Sequence, residues 1–265
     1  MNRISQVASP PPSSFLVKCA GVVLAAAAVA APAQAAVIGF HAGYGMPVLH
    51  GETWVESGYK LAFDAYHDDA DENTAVGAII DGADPWPCVD MACPIGGDGT
   101  YYGAFNDSVV WLSSATGGAE FQLKSIDASF IGAFPDLGVY PFISGLLRLQ
   151  AFRADASYEL IDLPLFGPGT GGFAFSTYSL LEPWASMNFV EIAMFGMLCD
   201  AMLNCSAFDS NQGQFAIDNI VLGEVPEPAS AALLGLGLLG LLARRRRRQA
   251  RPGPGAGATT ARAIS

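Results

Sequence analysis

The sequence predicts an all-β domain, an antiparallel β-sandwich of jelly-roll type, flanked by two terminal segments of a different character. About ten short segments alternate apolar and polar residues or are rich in β-branched and aromatic residues, as strands are. Glycine, proline, asparagine and aspartate separate them at short intervals, as turns do. No segment of this domain has the apolar period of an amphipathic helix. Many short strands without helices favour two packed sheets.

The first half of the domain contains five predicted strands. In residues 59–66 the apolar side chains fall on one face, and residues 100–105 and 108–112 read as a hairpin that turns at Asn106 and Asp107. Residues 44–58, with Trp54, and residues 81–99, with Trp86, are predicted loops. The other predicted strands are residues 37–40 and 75–80.

The second half continues the pattern and ends in an unusual strand. Its predicted strands are residues 120–131 with a bulge near Ser125, a hairpin of 146–152 and 157–161, then 172–178, 188–195 and 214–222, with a loop at 163–172. In the last strand Phe215 and Ile217 face one way, whereas Ile220 and Leu222 face the other. The switch at Asp218 and Asn219 indicates a bulge or a strand that passes between both sheets.

The N-terminus has the pattern of a secretory signal peptide. Its only charges are Arg3 and Lys18, an apolar run covers residues 20–31, and residues 33–35 form a small-x-small cleavage site. We therefore expect residues 1–35 to be removed after export, with the Sec translocon and signal peptidase as partners. An uncleaved signal anchor is the alternative.

The C-terminus joins three segments with different physical properties. Pro226, Glu227 and Pro228 favour an extended, accessible peptide. Residues 229–243 carry no charge and suit a membrane helix, although their length of ~22 Å is short for a ~30 Å hydrocarbon core. The arginine cluster then fixes the topology on the cytoplasmic side, and its members are Arg244, Arg245, Arg246, Arg247 and Arg248.

This order of motif, apolar helix and basic cluster resembles the PEP-CTERM sorting signal, also known as an ice-binding-protein C-terminal domain. The resemblance covers residues 224–248. It implies recognition of Pro226, Glu227 and Pro228 by an exosortase, and hence an inner-membrane-anchored precursor that is later processed to the cell surface or the extracellular matrix. A permanent single-pass anchor is the alternative. Residues 249–265, rich in glycine, proline and alanine, read as a disordered tail.

The charge of the chain is divided sharply between its ends and its middle. Residues 36–225 contain 24 acidic and four basic residues, a net charge of −20. So acidic a surface repels polyanions, which excludes nucleic-acid binding. It favours cations, or solubility in a polysaccharide matrix.

Four cysteines lie in the exported part of the chain. Cys88 and Cys93 form one close pair, and Cys199 and Cys205 form another. Outside the cytoplasm an even number of cysteines indicates disulfides, of which three connectivities are possible. We favour the two local pairs, which would clip loops; a four-cysteine zinc site is the rival interpretation.

Catalytic signatures are absent from the sequence, and we predict that the protein is not an enzyme. There is no Gly-x-Ser-x-Gly, His-Glu-x-x-His or Cys-x-x-Cys pattern. Glycine-rich matches at residues 167–172 and 235–240 fail, because the first leads into a strand and the second lies in the apolar segment. The abundant carboxylates leave a glycosidase pair open but identify none.

A structural calcium ion is the cofactor that the acidic residues favour. The loop of residues 67–73 begins like an EF-hand, but Thr74 and Ile80 occupy its glycine and bidentate-glutamate positions. By resemblance to carbohydrate-binding jelly rolls, Asp218 would hold the ion together with a carboxylate near the N-terminus. Alternatively, Asp218 and Asn219 only cap the bulge.

Tryptophans on loops are candidates for a sugar-binding platform. Trp54, Trp86 and Trp184 fall in predicted loops, whereas Trp111 falls on a strand. We take Trp86 and Trp184 as the candidate ligand-binding residues; burial in the core is the competing interpretation.

These patterns predict a four-part chain whose function is non-enzymatic. Its parts are the signal peptide at 1–35, the sandwich at 36–223, the sorting signal at 224–248 and the tail at 249–265. The leading hypothesis is an exported surface or matrix protein associated with exopolysaccharide or biofilm. The alternatives are a carbohydrate-binding jelly-roll module and a secreted hydrolase.

Overall fold

The structure is a computed structural model that describes residues 35–41, 45–67, 69–84, 88, 91–95, 99–133, 137–224, 237 and 240. Several predicted features lie outside these residues: the signal peptide up to residue 34, the Pro-Glu-Pro motif, the arginine cluster, the tail, and the apolar segment except Gly237 and Gly240. Within the described residues, no helix combines the length and the apolar character needed to cross a bilayer.

The described part of the sandwich is built from strands, with two single 3-10 turns at Leu137–Val139 and Trp184–Ser186. The strands of its first half are β1 (Ala36–Ile38), β2 (Pro47–Leu49), β3 (Thr53–Glu56), β4 (Tyr59–Ala65), β5 (Ala75–Asp81), β6 (Met91–Ala92), β7 (Thr100–Ala104) and β8 (Ser108–Ser114). Those of its second half are β9 (Phe121–Phe130), β10 (Gly132–Ala133), β11 (Ile143–Phe152), β12 (Tyr158–Phe166), β13 (Ser176–Ser179), β14 (Glu191–Cys199), β15 (Cys205–Ser206) and β16 (Phe215–Glu224). The predicted all-β class is confirmed.

Two seven-stranded sheets contain nearly all of these strands. In the first sheet the order is β13-β9-β16-β7-β5-β2, and β1 pairs with the second half of β16. In the second sheet the order is β12-β11-β14-β8-β4-β3, and β15 pairs with β14. The strand pairs in both sheets are antiparallel.

The hydrophobic core draws on both sheets, as expected of a β-sandwich. In β4 the residues Leu61 and Phe63 are fully buried, while Lys60, which precedes Leu61, is exposed. The ring of Phe63 lies 4.7 Å from that of Tyr102 of β7, in the other sheet. Burial of one such side chain contributes roughly 1.5–3 kcal/mol. The face of β4 that carries Leu61 and Phe63 is therefore the one that turns toward the core.

The predicted hairpin of residues 100–105 and 108–112 is wrong. Both strands exist, but β7 belongs to the first sheet and β8 to the second. Asn106 and Asp107 do adopt left-handed backbone angles, with φ of 53° and 52°. The Asn106 amide donates to the Ala75 carbonyl oxygen at 2.7 Å, which ties this corner to β5 while the chain crosses between the sheets.

Three predicted loops contain strands. The segment 44–58 holds β2 and β3, the segment 81–99 holds β6, and β12 continues through Phe166 into the predicted loop at 163–172. β2 and β3 have three and four residues. Such strands are too short for alternation to reveal them next to glycine. The hairpin of β11 and β12, by contrast, is confirmed.

The predicted bulge in the last strand is confirmed, and it explains the change of face. The pairing of β16 with β9 shifts register between Asp218 and Val221, and Asn219 has a φ of 47°. The bulge contains one extra residue, so the residues that point into the core are odd-numbered before it and even-numbered after it. Four apolar residues from both sides of the bulge therefore enter one core: Phe215, Ile217, Ile220 and Leu222. β16 stays within the first sheet along its whole length.

Candidate functional site

β16 is the strand that precedes the sorting motif in the sequence. β16 remains paired with β9 up to its last residues, where Gly223 is opposite Gln122 and Glu224 is opposite Phe121. Leu222, two residues earlier, is fully buried. The last strand of the fold thus ends directly before Val225 and Pro226 in the sequence. The Pro-Glu-Pro motif itself lies outside the described residues.

The bulge places two carboxylates opposite each other. Asp218 is paired with Asp127 of β9, and the Asn219 side-chain amide donates to Asp127 Oδ2 at 2.9 Å and to Asp218 Oδ2 at 3.3 Å. The Asn219 backbone N–H also donates to Asp218 Oδ1 at 2.7 Å. Like charges directly opposite across strands are unfavourable, so the asparagine acts as a bridge between them.

Burial makes the Asp218 carboxyl a weaker acid than usual. The side chain is 6% exposed. Burial raises the pKa of Asp218 to about 6, with Asp127 and Glu56 adding to the rise and the Asn219 N–H and His41 opposing it. Asp218 is therefore a half-protonated group at mildly acidic pH.

Calcium binding at Asp218 stays a prediction within the described part of the chain. No group of three or more histidine, cysteine, aspartate or glutamate residues arranged to hold a metal occurs there. In the predicted acidic loop, Asp71 Oδ1 instead accepts hydrogen bonds from the Asn73 N–H at 2.9 Å and from the Thr74 hydroxyl at 3.3 Å. This carboxylate caps its own turn.

The cysteines form the two local disulfides favoured by the sequence. Cys88 joins Cys93 with Cα atoms 5.9 Å apart, and Cys199 joins Cys205 with Cα atoms 4.1 Å apart. The second bridge links directly opposed residues of β14 and β15. The Asp200 carboxylate closes the enclosed turn, since it accepts from the backbone N–H groups of Met202 and Asn204.

Of the two tryptophans predicted to bind sugar, one is buried. Trp184 is 8% exposed and its ring lies 5.0 Å from Phe189, so it belongs to the core and offers no open indole face. Trp54 lies on β3, where it packs on Phe63 at 5.2 Å. Trp86 lies outside the described residues. Trp111, on β8, is half-buried on the outer face of the second sheet.

An aromatic strip that was not predicted from the sequence lies on this outer face. We define it as Trp111 of β8, Phe152 of β11 and Tyr158 of β12. The ring centroids of Trp111 and Phe152 lie 6.3 Å apart, and so do those of Phe152 and Tyr158. The alternation within each strand could have marked these outward residues. Which strands are neighbours in the sheet could not be read from the sequence.

A cleft of about 410 Å³ opens next to the turn between β11 and β12. Glu120, Arg153 and Asn188 are among its lining residues. Arg153 Nη2 lies 3.3 Å from Glu159 Oε1, whereas its buried Nε has no hydrogen-bond partner within the described residues. Asn188 is held by Gln122, which donates to its Oδ1 at 2.9 Å.

Comparison with known families identifies the segment that follows the sandwich. Residues 224–248 match the PEP-CTERM protein-sorting motif. The chain carries a PEP-CTERM sorting motif. The match begins at Glu224, the last residue of β16, and it includes Pro226, Glu227 and Pro228 and the arginines from Arg244 to Arg248. The predicted PEP-CTERM resemblance is thereby confirmed.

The remaining comparisons do not extend to the function of the sandwich. No curated protein sequence matches the chain. Among solved structures, the chain is similar to the enzymatically active domain of tailspike protein 4 of bacteriophage CBA120, with 14% identity and a TM-score of 0.26. That match covers 64% of this chain and 20% of the tailspike chain, and a similarity so low supports no conclusion about activity.

Proposed function

We propose that the chain is an exported protein that an exosortase processes and releases to the cell surface or the extracellular matrix, where its sandwich has no catalytic role. The observation that carries the proposal is the position of the PEP-CTERM motif, which begins at the last residue of β16. Recognition of Pro226, Glu227 and Pro228 by the sorting enzyme then requires no opening of the sheet.

Features of the chain outside the motif agree with export. The N-terminal segment has the pattern of a signal peptide, with an apolar run and a small-x-small site that ends at Ala35. The two disulfides fit an oxidising compartment. The strongly acidic sandwich suits a soluble protein among polysaccharides, in a biofilm or an exopolysaccharide layer.

The apolar segment would hold a precursor in the inner membrane before processing. Residues 229–243 carry no charged side chain, and the five arginines that follow would stop on the cytoplasmic side. A segment this short makes a marginal anchor. That suits a helix that is held for a limited time and then removed.

The strand order supports a jelly-roll-like sandwich. From β7 onward the chain contributes β7, β9, β13 and β16 to the first sheet and β8, β11, β12 and β14 to the second. The last strand, β16, lies between β7 and β9, and β14 lies between β8 and β11. Two interlocked Greek keys, extended by the N-terminal strands, would produce this order.

Cell fractionation tests the proposal. The full chain is expressed in an exosortase-containing host and in the same host without the enzyme. We expect the protein in the medium or surface fraction of the first strain and in the inner membrane of the second. Glu227→Ala should shift the protein of the first strain toward the membrane, whereas Arg251→Gln, beyond the matched segment, should not. An identical distribution in both strains would refute exosortase processing.

A further inference from the structure

We propose that the outer face of the second sheet binds a neutral polysaccharide, with the aromatic strip of Trp111, Phe152 and Tyr158 as its stacking surface. The proposal adds a ligand class and a site to the exported protein proposed above. It depends on that function only in that export brings the domain into contact with polysaccharide.

The register of the sheet shows that the strip faces solvent. Trp111 is opposite Ala193 of β14, and Phe152 is opposite Glu191 of the same strand. On β14 the residues on either side of Ala193, namely Ile192 and Met194, belong to the core. Ala193 and its cross-strand neighbours therefore point outward.

The side chains of Trp111 and Phe152 approach each other over β14. The two strands that carry them flank β14, yet their ring centroids are only 6.3 Å apart and their planes differ by 25°. Ala193 points outward but is only 3% exposed, because the two larger side chains cover its methyl group. The result is a pair of nearly parallel aromatic rings over the middle of the sheet, with the Tyr158 ring tilted by 53° from that of Phe152.

Tyr158 continues this surface to the edge of the sheet. It lies on the edge strand β12, is 56% exposed, and is paired with Phe152. Leu160 on the same strand and the same face is 47% exposed. Exposed apolar and aromatic side chains that adjoin in this way mark an interaction surface better than single exposed residues do.

Polar side chains next to the strip suit sugar hydroxyl groups. Gln150 and Glu191 lie on the same outward face as Phe152, and both are half-buried. Beyond them, Arg148 donates two hydrogen bonds to Asp162, at 2.7 and 2.8 Å. An amide and a carboxylate accept hydrogen bonds from hydroxyl groups, and the aromatic rings offer an apolar surface to the C–H face of a pyranose.

Charge selects the class of polysaccharide. The 36–225 region has a net charge of −20, and the two arginines near the strip are already paired, Arg148 with Asp162 and Arg153 with Glu159. Polymers of uronic acids or sulfated sugars would be repelled, as other polyanions are. Neutral chains can instead use the carboxylates as acceptors. The strip therefore fits a neutral glycan.

Binding to defined polysaccharides tests this proposal. The full chain in mild detergent is run by affinity electrophoresis against neutral polymers, namely a soluble β-glucan, a galactomannan and a xylan, and against alginate as the anionic comparison. The strip variants are Trp111→Ala and Tyr158→Ser. Phe142→Ala is the matched control, because Phe142 is 80% exposed but lies next to the opposite end of β11.

We expect at least one neutral polymer to bind and alginate not to bind. Each strip variant should weaken the binding about tenfold, which corresponds to about 1.4 kcal/mol, and Phe142→Ala should leave it unchanged. Melting curves verify folding, and Tyr158→Ser keeps the test valid if Trp111→Ala unfolds. The proposal is overturned if no neutral polymer binds, if folded strip variants bind as the parent does, or if these variants change only the oligomeric state.

Discussion

Glu224 at the end of β16 is paired with Phe121 at the start of β9, so the sheet is complete at the residue where the sorting motif begins. The segment that is proposed to be removed therefore contributes no described strand to either sheet. This arrangement separates the two roles of the chain. The residues up to Glu224 stabilise the sandwich, and the residues that follow carry the sorting signal.

The boundary can be tested by truncation. A chain that ends at Glu227 should unfold at the same temperature as the full sandwich, because it retains every pair of β16. A chain that ends at Val221 loses the buried Leu222 and the last pairs with β9. Loss of one buried leucine costs about 2–5 kcal/mol. Equal melting temperatures for the two chains would contradict this boundary.

Asp218→Asn should change how stability depends on pH. The folded pKa of Asp218 is raised to about 6 from an ordinary 3.8, so the native state binds more protons than the unfolded chain between these values. The contribution of this group to stability is then present below about pH 4 and is lost as the pH rises through 6. The isosteric amide removes this loss.

Chemical denaturation at several pH values measures the effect. We expect Asp218→Asn to be more stable than the parent at pH 7, by at most about 3 kcal/mol, and the difference to shrink toward pH 4. Asp127→Asn, across the strands, serves as the comparison. A constant difference between Asp218→Asn and the parent from pH 4 to 7 would exclude this titration.

Removing the Cys199–Cys205 bridge should cost moderate stability without unfolding the sandwich. The bridge closes a short turn that the Asp200 carboxylate also holds through Met202 and Asn204. Closing so short a loop contributes about 2 kcal/mol in the chain-entropy model. We expect Cys199→Ser with Cys205→Ser to lower the melting temperature by about 4–8 °C. A collapse of the strand signal in circular dichroism at 25 °C would contradict the local role of the bridge.

Gly77→Ala should be one of the more damaging small changes in the core. A methyl group at Gly77 would overlap the Gly103 carbonyl oxygen of the neighbouring strand and the Tyr102 ring. Tyr102 is held in place, since its hydroxyl donates to the Val76 carbonyl oxygen at 3.0 Å. Overpacking of this kind costs about 1–3 kcal/mol. Gly138→Ala, where nothing lies near the added methyl group, is the control and should leave the unfolding free energy nearly unchanged.

Strands with clear alternation could be predicted from the sequence, whereas their partners could not. The outward Lys60 between Leu61 and Tyr59 marks β4, and the change of face after Ile217 marks the bulge in β16. The turn at Asn106 and Asp107 has hairpin chemistry, but it connects two sheets. Local residue preference determines the turn, and burial of both flanking strands in one core determines where the chain goes next.

The same limit applies to the candidate sites. The sorting motif is contiguous, so the sequence contains it completely. The strip combines Trp111, Phe152 and Tyr158 from three strands, two of which are separated by β14 in the sheet. Trp184 was predicted to lie in a loop. It does lie outside the strands, in a 3-10 turn, but its indole is buried in the core. The pairing of the strands assembles the strip, and local sequence patterns do not determine that pairing.

The central claim is that the PEP-CTERM motif is a sorting signal that is removed after export. The intact mass of the protein released from cells tests this claim most directly. In a host with exosortase we predict a mature chain whose C-terminus lies near Pro226 or Glu227, lacking residues 229–265. A released or membrane-bound protein that retains Ser265 in the presence of the enzyme would contradict the claim.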